Sequence, residues 1–149
     1  MKSQETVDTA QFATHGFQLF PNLLTRSYML QVKNALGEIR QGIYNRSRPP
    51  MRRVPEPPTS EGMWRVDQPH LCSEAFHDLA TNPLLASIAG RLMNSSVVQV
   101  WYVHAMHKPP RNDASKVGWH QDGQYVDFFS GNFVTAWLAL SDVTPSSGP

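Results

Sequence analysis

The sequence has little of what marks several large classes of protein. Its 149 residues include one cysteine, Cys72, so no disulfide can form within the chain, which fits a reducing compartment. No apolar run approaches the length that crosses a bilayer, and the polar N-terminus lacks the apolar core of a signal peptide. The 13 basic residues nearly balance the 12 acidic ones, without a polybasic run. These absences predict a soluble, cytoplasmic protein that binds neither nucleic acid nor a membrane.

The sequence also lacks the motifs of several common enzymes. It contains no Gly-x-Ser-x-Gly elbow and no glycine-rich loop that would cradle a phosphate. No motif around Cys72 suggests a nucleophile. With 40% hydrophobic residues and the length of one domain, the chain is able to bury a core. Histidine and carboxylate side chains are therefore the main candidates for its functional groups.

Helical patterns occupy much of the first hundred residues. Residues 7–15 predict a short helix that Gly16 stops. A longer helix is expected to begin at a cap provided by Thr25 or Ser27. Asn82 and the proline that follows it predict another helix start. The apolar stripe of the longer helix is Met29, Val32, Leu36, Ile39 and Ile43, and the later helix places Leu85, Ile88 and Leu92 on the core.

Strand-like patterns dominate the later part of the chain. Residues 17–20 alternate like a short strand, whereas the proline-rich residues 47–60 read as an irregular loop. Residues 97–106 and 133–140 are apolar runs of β-forming residues. Helices followed by strands predict an α+β domain with helices outside a mainly antiparallel sheet.

His120 and Asp122 are the strongest candidates for a functional site. They lie two positions apart in a β-rich segment, so on a strand both side chains face one way, within reach of one ion. Two histidines and one carboxylate on one face of an octahedral metal are typical of non-haem Fe(II) oxygenases. The aromatic residues around the pair are candidates for a shielding pocket or for ordinary core: Trp119, Tyr125, Phe128 and Phe129.

The third ligand has two candidates close in sequence, His104 and His107. Three positions apart on one strand, they face opposite sides, so at most one joins the pair. His104 shares a face with Tyr102 and Met106, which favours a core or pocket-wall role. Zinc hydrolysis with one of these histidines remains open, because zinc accepts sites of this kind. The remaining histidines are interpreted as structural or surface residues: His15, His70 and His77.

Short motifs along the chain form a recognisable set. The most specific follow Val97, and weaker ones lie at residues 16–22 and at residues 82–85 leading to Gly90. Together they resemble the phytanoyl-CoA dioxygenase family from about Phe12 onward. The specific motifs are Lys108-Pro109-Pro110, residues 119–122 with Tyr125, residues 135–142, and Ser147-Gly148-Pro149.

The resemblance implies a fold, a metal and a cosubstrate. The fold is a double-stranded β-helix, or jelly roll, with N-terminal helices packed on it. The site would hold Fe(II) and use 2-oxoglutarate and O₂ to hydroxylate a small organic or acyl substrate. His120 and Asp122 match the first two iron ligands of the family. By the same resemblance, the cosubstrate-binding residues are Trp137, His104 and Arg65, and the substrate-binding residues are Gln121 and Tyr125.

The sequence departs from the family pattern at its end. In the family, a Pro-Gly-Ser-His motif follows the Ser-Gly-Pro position and supplies the third ligand, and an arginine beyond it binds 2-oxoglutarate. The sequence ends at Pro149, before both. The expectation is a single domain over residues 1–149, truncated before the distal His and Arg, with an incomplete jelly roll and doubtful activity alone. Two alternatives stay open: a non-catalytic or assembly-dependent fragment, and a zinc- or cupin-like metal-binding jelly roll. The sequence leaves the substrate and the oligomeric state undetermined.

Overall fold

A computed structural model describes residues 6–54, 62–110, 117–126 and 131–144, and these ranges form a mixed fold of helices and a small antiparallel sheet. No helix in these ranges is long and apolar enough to span a bilayer. In chain order the elements are α1 (Thr9–His15), α2 (Arg26–Arg40), β1 (Arg52–Val54), β2 (Trp64–Asp67), α3 (Glu74–Ala80), α4 (Pro83–Leu92) and β3 (His104–His107), with 3₁₀ helices at Pro69–Leu71 and Asp122–Tyr125.

Of the helix starts predicted from sequence, those of α2 and α4 are confirmed and that of α1 differs by two residues. The side chain of Asp8 caps α1, which is why that helix begins two residues later than predicted. Gly16, with a φ of 77°, ends it in the left-handed conformation. Thr25 caps α2 by accepting a hydrogen bond from a backbone N–H at 3.3 Å. Asn82 caps α4 in the same way.

The three strands form one sheet in the order β1-β2-β3, with both pairings antiparallel. Trp64 lies opposite His107 and Val66 opposite Ala105, and these side chains share the face that is packed against helices. The opposite face is polar. We call it the polar face, and it is formed by Arg52, Val54, Arg65, Asp67, His104 and Met106.

The hydrophobic core lies between the sheet and helices α2 and α3. Of the predicted α2 stripe, three residues are buried, whereas Met29 is half-buried and Ile43 lies beyond the helix end, with 54% of its surface exposed. Leu85 of α4 packs against the core as predicted, but Ile88 and Leu92 are only partly buried. The buried cluster consists of Val32, Ala35, Leu36, Ile39, Trp64, Val66, Cys72, Phe76, Leu79 and Ala105.

Several strand predictions are wrong. Residues 17–20 and 133–140 form no strand, and within residues 97–106 the sheet begins only at His104. Strand β1 lies inside the segment predicted as an irregular loop, of which residues 55–60 fall outside the described ranges. Alternating apolar residues favour an extended chain, but a strand also needs a partner to pair its backbone groups.

Candidate metal centre

The backbone around His120 and Asp122 is not the predicted strand. Residues 117–121 have no regular structure, and Asp122 begins a 3₁₀ helix that ends at Tyr125. Gln121, however, is extended, with φ −113° and ψ 131°. An extended residue directs the side chains on either side of it the same way. The expected convergence therefore occurs, and Nε2 of His120 lies 3.5 Å from Oδ1 of Asp122.

One hydrogen bond determines how His120 presents its ring. Its Nδ1 lies 2.8 Å from the carbonyl oxygen of Gly118. Because a carbonyl oxygen only accepts, Nδ1 carries the hydrogen and donates it. In the neutral imidazole, the lone pair of Nε2 then points towards the Asp122 carboxylate. Two acceptor atoms facing each other attract a cation between them, either a proton on Nε2 or a metal ion.

A second hydrogen bond holds the Asp122 carboxylate. The hydroxyl of Thr135 donates to Oδ2 at 2.5 Å, across 13 positions of sequence. The other carboxylate oxygen, Oδ1, is the one that faces His120. Thr135 lies in the motif at residues 135–142, but no role was predicted for it from the sequence. The feature that could have indicated a role is a hydroxyl residue inside an otherwise apolar run.

The pair fits two neighbouring positions of a metal site. Ligand atoms at about 2.1 Å from an ion and at right angles to each other lie about 3 Å apart. The observed 3.5 Å between the ligand atoms of His120 and Asp122 is close to that value. Their side chains are 36% and 46% exposed, so an ion can reach them. Within the described ranges, no group of three or more His, Cys, Asp and Glu side chains is arranged to hold a metal ion.

His104 lies within electrostatic reach of this pair. Burial, and then the positive charge of Arg65, lower the pKa of His104, while the carboxylates of Asp67 and Asp122 act in the opposite direction. His107 lies on the other, core-facing side of β3, with its ring 6.3 Å from that of Trp64. The sequence prediction that these two histidines face opposite sides is confirmed.

Arg65 is fixed on the polar face by Asp67. Its Nε lies 2.9 Å from Oδ1 of Asp67, and its Nη2 donates to Oδ2 at 3.4 Å. The Asp67 side chain is only 7% exposed, whereas that of Arg65 is 40% exposed. Burial, together with a hydrogen bond to Asp67, raises the pKa of Tyr102 to about 12. Asp67 was not among the predicted site residues, although the Arg-x-Asp alternation on one strand indicates the pair.

The other predicted site residues lie near the pair in sequence but are largely exposed. The ring of Tyr125 meets that of His120 edge to face, with 5.7 Å between centroids. Gln121 is exposed between His120 and Asp122, and Trp137 is 67% exposed two residues after Thr135. The proposed aromatic shield is wrong for Trp119, which is fully exposed because no described segment packs over it. Phe128 and Phe129 lie outside the described residues.

Comparison with known proteins identifies the family of this chain. The family model for phytanoyl-CoA dioxygenase (PhyH) matches residues 12–149, which is most of the chain. The search of curated proteins and the search of solved structures gave no match. Members of the matched family are generally oxygenases that depend on Fe(II) and 2-oxoglutarate. The extent of the match, together with a His-x-Asp pair whose ligand atoms converge, places this chain in the phytanoyl-CoA dioxygenase family.

Proposed function

We propose that this protein is an Fe(II)- and 2-oxoglutarate-dependent dioxygenase that hydroxylates a small organic or acyl substrate. The observation that carries the proposal is the convergence of His120 Nε2 and Asp122 Oδ1, 3.5 Å apart, in a chain of this family. An imidazole nitrogen and a carboxylate oxygen are the donor set of such iron sites. When bound, iron with 2-oxoglutarate and O₂ supplies the oxidising chemistry, and the protein supplies position and exclusion of water.

His120 and Asp122 are the proposed ligands, and both must be in their basic forms to bind. The Gly118 carbonyl keeps the proton of His120 on Nδ1 and so leaves Nε2 available. Thr135 occupies one oxygen of Asp122 and leaves the other available. Gln121 and Tyr125, beside the pair, are proposed to contact the substrate.

The polar face is proposed to bind the cosubstrate. Arg65 offers a guanidinium that is ion-paired with Asp67 and donates a hydrogen bond to it through Nη2, and the remaining N–H groups are proposed to meet a carboxylate. His104, on the neighbouring strand, and Trp137 complete the proposed cosubstrate set. The carboxylate of Asp122 acts on the pKa of His104, which supports the proposal that this face and the His120–Asp122 pair serve one site.

The remaining proposals concern the fold and the setting of the protein. The polar face and the core face of the sheet support the proposal of a jelly-roll domain with its helices outside. In that fold, the polar face would line the interior where metal and cosubstrate meet. We propose a cytoplasmic protein whose partner is a small molecule rather than nucleic acid or a membrane.

The proposal is tested by measuring the succinate that forms from 2-oxoglutarate with added Fe(II). The substrates are a panel of acyl-CoA, amino-acid and other small organic compounds. His120→Ala and Asp122→Ala should each remove the activity, because each deletes one ligand. Matched controls are His15→Ala, an exposed imidazole in α1, and Asp78→Ala, an exposed carboxylate in α3. Both controls should turn over like the unaltered chain.

Two results would contradict the proposal. Unchanged succinate formation by Asp122→Ala would remove that residue from the site. Purification with zinc bound at the pair, and no effect of 2-oxoglutarate on any measured activity, would favour the zinc- or cupin-like alternative.

A further inference from the structure

The hydrogen bond between Thr135 and Asp122 joins two segments that have no regular backbone pairing between them. One segment is residues 117–126 and the other is residues 131–144. The Thr135 hydroxyl lies 2.5 Å from Oδ2 of Asp122, and a hydrogen bond from a hydroxyl to a carboxylate is generally stronger than one between neutral groups. Such a bond restricts rotation of the carboxylate about its Cβ–Cγ bond.

The restriction has a consequence for ligation. A carboxylate can bind an ion through either oxygen or through both. Here the Thr135 hydroxyl takes Oδ2, and Oδ1 is left facing Nε2 of His120 at 3.5 Å. Gly118 does the equivalent for the imidazole by occupying Nδ1. Each side chain is thus held by a hydrogen bond at the atom that points away from its partner, Nδ1 of His120 and Oδ2 of Asp122. The two atoms that face each other are left available.

We propose that Thr135 is a positioning residue. Its hydrogen bond to Oδ2 selects Oδ1 as the oxygen of the Asp122 carboxylate that binds the metal. The inference rests on the proposed function, because it requires Asp122 to be a ligand. Thr135 itself does not touch the metal. Groups that hydrogen-bond to metal ligands typically change metal affinity about 10- to 100-fold when they are removed.

The test measures binding of Co(II) alone to the full chain by calorimetry, without turnover. Thr135→Val removes the hydroxyl and keeps the shape, so it should weaken Co(II) binding at least about tenfold. Thr135→Ser restores the hydroxyl and should bind nearly as well as the unaltered chain. The matched control is Thr81→Val, because the Thr81 hydroxyl bonds only a backbone carbonyl, that of His77, at 2.9 Å.

A double-mutant cycle separates positioning from a general structural role. In an Asp122→Ala background, Thr135→Val should cause no further loss of Co(II) affinity, because the carboxylate it positions is already absent. A further loss of the same size would overturn the inference, since the hydroxyl would then act elsewhere. Thr135→Ala makes the same deletion with a smaller side chain, in case valine disturbs the backbone.

The possible results distinguish this inference from the proposed function. If Asp122→Ala weakens Co(II) binding but Thr135→Val does not, the inference fails and the metal site stands. If Thr135→Ser binds as poorly as Thr135→Val, the hydroxyl is not the cause and the inference also fails. If the unaltered chain binds Co(II) no better than Asp122→Ala, the metal site fails and the inference with it.

Discussion

Two regions of this molecule are held together by different forces. In residues 6–107, helices and paired strands enclose an apolar core, and every buried residue of the described chain lies there. In residues 117–126 and 131–144 no described residue is buried, and Leu138 and Leu140 alone pack against that core. Yet the second region supplies His120 and Asp122, the pair proposed to bind the metal. Apolar burial thus shapes the scaffold, whereas a few hydrogen bonds shape the site.

The difference between the two regions shows which interactions set the geometry of the His120–Asp122 pair. His120 and Asp122 are brought together by the extended Gln121 between them and by bonds to Gly118 and Thr135. Gly118, Gln121 and Thr135 are all exposed rather than buried. Damage to the core and damage to the site should therefore be separable in experiment.

The largest effect should come from the core. Ile39 is fully buried in α2, so Ile39→Ala leaves a cavity and should lower the free energy of unfolding by about 2–5 kcal/mol. Trp119 is fully exposed, and Trp119→Ala should change that free energy by less than about 0.5 kcal/mol. Chemical denaturation measures both. Equal destabilisation by the two substitutions would abolish the contrast between the regions.

A smaller effect is expected at the polar face. Asp67→Asn removes the charge that pairs with Arg65 and should cost about 1–3 kcal/mol of unfolding free energy, less than a fully buried pair because Arg65 is 40% exposed. Chemical denaturation of the variant measures this cost. Asp78→Asn, at an exposed carboxylate in α3, is the matched control.

The same substitution should change a titration. Burial and then the hydrogen bond to Asp67 raise the pKa of Tyr102 to about 12, and the negative charge of Asp67 adds to this by opposing the phenolate. Asp67→Asn removes that charge, so the pKa of Tyr102 should fall towards its ordinary value. Ultraviolet titration of the tyrosines follows it, and Tyr102→Phe identifies the signal. A high-pH transition unchanged in Asp67→Asn would disprove the link.

The smallest effect concerns two helix glycines of the packed region. A Cβ on Gly90 would lie 2.8 Å from the backbone oxygen of Ser95, whereas one on Gly37 would meet nothing within 4 Å. Gly37→Ala should therefore stabilise the protein by about 0.5–1 kcal/mol. Gly90→Ala should lose that benefit and destabilise by about 1 kcal/mol, because the backbone must shift. Thermal unfolding compares them, and a stabilising Gly90→Ala would contradict the observed close approach.

Local patterns in the sequence predicted the parts of the fold that depend on neighbouring residues. Helix caps such as Thr25 and Asn82 act within a few positions, and the apolar stripe of α2 repeats with the helix turn. Strands were predicted less well, because a ladder depends on a partner distant in sequence. Asp67 pairs with residues on both neighbouring strands, Arg52 and His104, and no local pattern specifies that choice.

In the site, too, features set by neighbouring residues were predictable and features set by distant partners were not. The His120–Asp122 convergence was predictable because an extended residue lies between them, even though the strand around them was wrong. The role of Thr135 was not predictable from spacing, because it acts through a hydrogen bond that the folded chain makes across 13 positions. For Trp137, Gln121 and Tyr125, the roles given by resemblance remain predictions.

The register of β3 has a consequence for changes in chain length. Its four residues, His104–His107, alternate between the polar face and the core. Deleting or inserting one residue there would exchange the two environments, sending a histidine inward and Ala105 outward. Insertions should therefore be accepted on either side of this strand long before they are accepted within it. In homologues of different length, these four positions should align without a gap.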